Sequence, residues 1–239
     1  MNKVVIVQAR YGSTRLPGKV LKKLGSQTVL HHVLNRCLAI DGIDRVCCAI
    51  PDSDENEIIV EEAACCDVNV SRGPESDVLN RYYLAAVENN ADIIIRVTSD
   101  CPLIDPGVVS AVLNKYEQEG ADFASNNEPK TWPHGLDCEV FSMGWLERAN
   151  KQAVKQFDRE HVAPYIRNHL EVKKINLPAP VTGLEKYRWT LDTMKDFLFM
   201  EALFEAHPEV ESNWSYELLV DIMRTDSHIS ALERQTREN

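Results

Sequence analysis

Residues 9–19, ARYGSTRLPGK, set Arg10, Arg15 and Lys19 among small and hydroxyl-bearing residues directly behind an apolar run, Lys3–Gln8 (KVVIVQ). Arginine grips phosphate oxygens with a planar, bidentate fork, and lysine adds a compact charge that can follow a leaving group. Between the cations, the backbone amides of Gly12, Ser13 and Thr14 are open to an anion. Three cations in one loop suit a triphosphate better than a monophosphate. The plainer reading is a solvated loop with incidental charge, but surface loops usually mix signs and this one does not. Residues 1–40 hold seven Lys or Arg and no Asp or Glu, in a chain whose formal charge is -11. That balance excludes a general nucleic-acid binder, which needs a broad cationic face, and fits one concentrated spot for a small polyanion.

Two familiar phosphate motifs fail on spacing. In a GxxxxGK[ST] loop four residues separate the glycines and a hydroxyl follows the lysine; here five separate Gly12 from Gly18, and Val20 follows Lys19. No GxGxxG is present either.

A triphosphate calls for a divalent cation to neutralise its oxygens, and magnesium takes one or two protein carboxylates for this purpose. Asp100 follows the most apolar run of the chain, Ala91–Thr98 (ADIIIRVT). Asp192 closes RWTLD just before Thr193, which with Asp196 has the pattern of a helix capping box. Each has an ordinary alternative: a turn residue before Pro102, and a helix cap competing with Thr193.

The elements that must position these residues alternate. KVVIVQ reads as a buried parallel strand, Thr28–Ile40 as a helix, Arg45–Ile50 as a strand stopped by Pro51, Asp52–Cys66 as an amphipathic helix and Asp67–Val70 as a short strand. A turn at Arg72-Gly73-Pro74 leads to a helix from Ser76 to Asn89, with Leu79, Tyr82, Tyr83, Ala86 and Val87 inward. The strand Ala91–Thr98 is a candidate sheet centre, and a helix starts near Pro106. This rhythm predicts an α/β fold with a doubly wound, mostly parallel sheet whose ligand lies off the carboxyl ends of the strands. From Ala121 the pattern shifts to an α+β C-terminal extension: strands Ala121–Ser125 and Glu139–Ser142 around the loop EPKTWPHGLDC, a helix through His161–His169, strands Val172–Leu177 and Arg188–Leu191, and two amphipathic helices. One domain over 1–239 is expected, with a nucleotide-binding half at 1–120 and an acceptor and dimerisation half at 121–239.

ARYGSTRLPGKVL resembles the N-terminal signature of the cytidylyltransferases that activate sugars, the octulosonate and acylneuraminate enzymes among them. RVTSDCPLIDP and HGLDCEVFS resemble the branch of spore coat polysaccharide biosynthesis protein F more closely. The likeness spans nearly the whole chain. It implies a Rossmann-like nucleotidyltransferase fold, CTP as donor, Mg²⁺ as cofactor and a homodimer. It also implies that Arg10, Arg15 and Lys19 hold the triphosphate, that the stretch from Ala9 through Gly12, Ser13 and Thr14 contacts the nucleotide, and that Asp100 and Asp192 bind the metal. The same resemblance places Arg72, Gly73 and Asp77 of RGPESD near the base; the alternative is a turn with Ser76 as helix cap.

On the acceptor side, Trp132–Asp137 (WPHGLD) suits a lid, because a loop so rich in unusual side chains is more often functional than decorative. His134 would orient or deprotonate an acceptor hydroxyl and Asp137 would bond it, against the alternative of a structural turn. Glu160 and His161 in FDREHVAPYIRNH also match the spore coat branch, with a structural role as the alternative for His161 and Asp158 as a candidate cap. Arg188 would meet an anionic acceptor or pair with a neighbouring acid.

The expected reaction is attack of an acceptor oxygen on the α-phosphorus of CTP, with loss of pyrophosphate, for surface polysaccharide synthesis. Competing readings are a metal-dependent glycosyltransferase, which would normally show DxD where this chain has TSDCP, and a nucleotide-binding protein without turnover. Seven cysteines without CxxC spacing predict reduced thiols rather than a disulfide or zinc framework. No run is long enough to span a bilayer and no signal peptide opens the chain, so a cytoplasmic protein with no membrane or nucleic-acid partner is expected.

Overall fold

The computed structural model describes residues 1–237. Residues 238–239, the end of the expected domain range, lie outside the described residues. In chain order the elements are β1 (Lys3–Gln8), β2 (Lys23–Leu24), β3 (Gln27–Thr28), α1 (Val29–Leu38), β4 (Arg45–Pro51), α2 (Glu57–Cys65), β5 (Asn69–Gly73), α3 (Val78–Glu88), β6 (Ile93–Thr98) and α4 (Pro106–Glu119). There follow β7 (Phe123–Ser125), β8 (Glu139–Ser142), α5 (Met143–Gln152), α6 (Gln156–His161), α7 (Pro164–Arg167), β9 (Lys174–Asn176), α8 (Met194–Ala206), α9 (Tyr216–Thr225) and α10 (Ser227–Thr236).

Seven strands form one sheet in the order β5-β4-β1-β6-β8-β7-β9, and β8 alone runs antiparallel to its neighbours. The continuous apolar run of β1 follows from its place: Val4, Val5, Ile6 and Val7 are all fully buried, because helices cover both faces of a parallel sheet. Val5 and Val7 pack with α1 and α4 on one face, Val4 and Ile6 with α3 and α5 on the other. A third cluster joins α8, α9 and α10 to Trp132, Leu136 and Trp189. The chain moves outward from β1 to β4 and β5, then crosses back through α3 to β6 on the other side of β1. That reversal opens a crevice between the carboxyl ends of β1 and β6, where ligands bind in such sheets. The α/β fold with a doubly wound, mostly parallel sheet is the one expected.

Helix ends follow their capping residues. Thr28 accepts from the amide of His31, and Asp105 accepts from Gly107 and Val108 ahead of α4, whose first residue is Pro106. The other oxygen of Asp105 accepts from the amide of Tyr216 at 2.9 Å, so one carboxylate also holds the first turn of α9.

Several expectations are corrected. Arg72 and Gly73 form the end of β5 rather than a turn, since the strand runs on beside β4 as far as Pro51. α3 is capped by Asp77, not Ser76, and on it Tyr83 is half-buried and Val87 exposed because the inward face turns through Leu79, Tyr82, Ala85 and Ala86. The expected helix over 161–169 is two short helices, α6 and α7, parted at Val162, whose φ of 68° breaks the helical path. Asp158 lies inside α6 and caps nothing. Residues 188–191 are an extended strap outside the sheet, joined by Arg188 in one bridge to His134. The C-terminal region holds three helices where two were expected, because Asp226 ends α9 and caps α10.

Because Asp105 holds two helix starts, Asp105→Ala should lower unfolding stability by about 2 kcal/mol, the upper end for a lost cap. Urea denaturation checks this, with Asp105→Asn falling between the variant and the native protein.

Candidate active site

The loop after β1 is shaped by Gly18. Its φ of 63° is a left-handed conformation that glycine adopts without strain, and it turns the chain into a short helix over Lys19–Leu21. The Gly18 amide donates to Tyr11 O at 3.3 Å, and the Tyr11 amide donates to the Asn56 side chain at 2.9 Å, so the loop is closed on itself and tied to the entry of α2. Lys19 thus enters the crevice from a fixed backbone.

There its ammonium donates to Asp100 Oδ2 at 3.1 Å, Asp192 Oδ1 at 3.1 Å and the carbonyl of Leu191 at 2.8 Å. The two aspartates lie far apart in sequence, and the strap brings them together. The Leu191 amide donates to Asp100 O at 2.7 Å and the Thr190 hydroxyl to the same carbonyl at 3.2 Å. Arg15 reaches Asp192 Oδ1 at 2.9 Å, and Arg188 reaches Asp192 Oδ2 at 2.8 Å. Burial alone would push the Asp192 carboxyl up, but the charges of Lys19, Arg188 and Arg15 outweigh it and hold the group below the usual carboxylate range.

Two chambers meet at this cluster. The first, about 390 Å³, is walled by Ala9, Arg10, Ser13, Thr14, Arg15 and Lys19 on one side and by the start of α3 and Arg81 on the other. The second, about 320 Å³, is walled by His134, Asp137, Cys138, Glu139, Arg167 and Thr190. Arg96, Thr98, Asp100, His161 and Asp192 border both. Glu160 lines the first chamber, not the second.

In the second chamber His134 Nδ1 is bonded to Asp137 Oδ2 at 2.6 Å, and the Gly135 amide donates to the same oxygen at 3.0 Å. Burial pushes the Asp137 carboxyl up, and these two bonds more than reverse it, leaving the group below its ordinary value. Gly135 is required here: a Cβ would meet Trp189 O at 2.4 Å, and its φ is 114°. That close approach locks residues 134–137 to the strap, with the Trp189 amide donating to His134 O at 2.6 Å.

Five predicted residues stand outside both chambers. Gly12 faces Glu55, whose carboxylate would lie 3.2 Å from an added Cβ. Arg72 pairs with Glu57 at 2.7 Å. Gly73 lets α3 approach, since a Cβ would meet the Arg81 backbone at 3.0 Å. Asp77 caps α3 and accepts from Arg159 Nε at 3.0 Å, so both its carboxylate oxygens are already engaged. Arg188 spends its guanidinium on Asp192 and Asp196 and so positions a carboxylate instead of facing an acceptor.

Other wall residues were not anticipated. Arg96 projects from the most apolar strand and pairs with Glu139 at 2.7 Å; a charge inside IIIRVT was the available signal, since a buried charge needs a partner. Arg81, almost fully buried, donates to Pro74 O at 2.7 Å. Its helical position gave no sign of this. Cys101 and Cys138 line the second chamber, but burial pushes both thiols well up, which leaves them poor nucleophiles.

The donor set around Lys19 consists of carboxylate and carbonyl oxygens, the hard ligands magnesium prefers, and the ammonium already holds a positive charge between the two aspartates. Among the described residues no three His, Cys, Asp or Glu side chains gather into a cage of their own. The residues therefore fit a cation that shares its coordination with phosphate oxygens.

Asp192 adds stability above the ordinary carboxylate pKa, and this is lost as pH falls through its lower folded value. Lys19→Met should move the Asp192 titration midpoint upward, as measured by carboxyl ¹³C NMR. An unmoved midpoint would contradict the role given to Lys19.

Comparison with known proteins agrees with this geometry. A family model described as Cytidylyltransferase matches residues 4–226. Spore coat polysaccharide biosynthesis protein SpsF of Bacillus subtilis is 31% identical over 98% of this chain and 99% of its own. A cytidylyltransferase structure from Leptospira borgpetersenii superposes with a TM-score of 0.87 at 30% identity, covering 98% of this chain and 97% of that one. A CMP:2-keto-3-deoxy-manno-octonic acid synthetase solved with CTP superposes with a TM-score of 0.68 at 17% identity, over 86% of this chain and 99% of that one, and shares the fold. A crevice at the switch point of the sheet and a match along nearly the whole length lead to one assignment: this chain belongs to the cytidylyltransferase family, the CTP-dependent nucleotidyltransferases.

Proposed function

We propose that the protein transfers CMP from CTP to a hydroxyl of a sugar, sugar acid or phosphorylated polyol, with release of pyrophosphate, in surface polysaccharide synthesis. The observation that carries this reading is the meeting of two chambers at Asp100 and Asp192, beside Lys19, with the cationic loop walling the first and the His134–Asp137 pair walling the second. The likeness to SpsF supports the polysaccharide role.

CTP lies in the first chamber with its phosphates against Arg10, Arg15, Lys19 and the amides of Ser13 and Thr14. The acceptor enters the second chamber and directs a hydroxyl across the shared border. A bond forms between that oxygen and the α-phosphorus as the bond to pyrophosphate breaks. His134 has Nδ1 committed to Asp137, which leaves Nε2 to take the hydroxyl proton. Negative charge grows on the departing oxygen, where Lys19 and the arginines stabilise the transition state more than the ground state. Asp100 and Asp192 would hold Mg²⁺, which when bound neutralises phosphate oxygens and eases approach of the nucleophile. A homodimer and a cytoplasmic setting belong to the same proposal, and light scattering tests the first.

Lys19→Ala should lower kcat about a hundredfold, roughly 3 kcal/mol, by analogy with loss of one transition-state donor. Pyrophosphate release, measured with each nucleoside triphosphate against sugar acids, sugar phosphates and polyol phosphates, tests the reaction. Release from CTP alone is expected; none from any pair would refute cytidyl transfer.

A further inference from the structure

One cation in the second chamber has no part in the transfer of CMP. Arg167, at the end of α7, contributes both to that chamber and to an outer shelf of about 390 Å³ that it shares with Lys130, Asn127 and Glu128. Its nearest carboxylate oxygens, Glu128 Oε2 at 3.7 Å and Glu139 Oε1 at 3.8 Å, are beyond hydrogen-bond reach. Glu139 is already engaged by Arg96 at 2.7 Å, and Asp137 by His134 and Gly135. Arg167 is thus ion-paired at long range with Glu128 and Glu139, while its hydrogen-bond donors stay unspent among the described residues.

Arg36, Arg81, Arg96 and Arg167 each keep Nε buried without a partner among the described residues. The first three satisfy their terminal nitrogens on carbonyl or carboxylate oxygens within the protein. Arg167 makes no side-chain hydrogen bond among the described residues, although its side chain is only 27% exposed. Its buried Nε–H has no acceptor among the described residues, and its terminal donors are left for a ligand that supplies oxygens. Its backbone is fixed: the Arg167 amide donates to Ala163 O at 2.9 Å, and Ile166 beside it is fully buried.

Building on the cytidyl-transfer reading, we propose that Arg167 is a specificity-determining residue that binds an anionic group, carboxylate or phosphate, carried by the acceptor at the end of the second chamber away from the nucleotide. A neutral acceptor would leave the fork unpaired, and a site built to bond a group rejects analogues that lack it.

The test observes the Arg167 side-chain Nε–H by ¹⁵N NMR, assigned with Arg167→Lys, in protein loaded with CMP. The probes are glycerol 3-phosphate, 3-deoxy-manno-octulosonate and neutral glycerol. At least one anion should shift the resonance saturably while glycerol does not, and the anion that binds more tightly distinguishes phosphate from carboxylate. Arg167→Met should weaken that binding by about tenfold or more, Arg167→Lys should restore part of it, and CMP affinity should stay unchanged in both. Equal anion binding by Arg167→Met, an equal response to glycerol, or no response to either anion would overturn the assignment. Absence of pyrophosphate release from CTP with every acceptor, alongside a normal anion titration at Arg167, would instead overturn cytidyl transfer and leave the anion site standing.

Discussion

Two carboxylates cannot both stay ionised in a partly buried site unless a positive charge lies between them, and the architecture of this protein follows from how that charge is supplied. Lys19 comes from the loop after β1, Asp100 from the loop after β6 and Asp192 from a strap outside the sheet. Their convergence ties the sheet to the C-terminal helical layer. The same contact marks the border of the two chambers, so the interaction that stabilises the cleft also stands where the reaction would take place.

The strap depends on supports of its own. Asp196, fully buried, accepts from the amides of Asp192 and Thr193 and from Arg188, and Glu233 in α10 accepts from the Arg188 amide at 2.8 Å. Polar groups inside this layer are thus almost all spoken for. Such networks have one low-energy arrangement, because any shift strands a buried donor. Asp192 inherits that rigidity through its amide bond to Asp196 and its pairing with Arg188.

A similar division of labour separates the chambers. In the first, Lys19 and Arg15 neutralise the aspartates at its border, whereas Arg10 on the same glycine-turned loop makes no ion pair among the described residues. In the second, Arg96 is paired with Glu139 and His134 with Asp137. Val162, a β-branched residue at φ 68°, carries His161 to the border of both. Strain of this kind persists where surrounding structure over-determines it.

The alternation of strands and helices through residue 120, the cationic loop and the two aspartates were legible in the amino-acid sequence, because hydrophobic period, helix caps and charge clustering are local properties. Arg96 was half-legible, as a charge inside an apolar strand. The strap was misread as a strand because the apolar residues of RWTLD face the C-terminal helices, a burial pattern that residue types alone do not distinguish from a sheet. Asp77 and Arg188 have the chemistry of ligand-binding groups, yet the fold turns them toward Arg159 and toward Asp192 and Asp196. Arg167 carried no local signal at all. Whether a charged side chain is spent or free depends on partners contributed by distant segments, and only tertiary structure decides which segments meet.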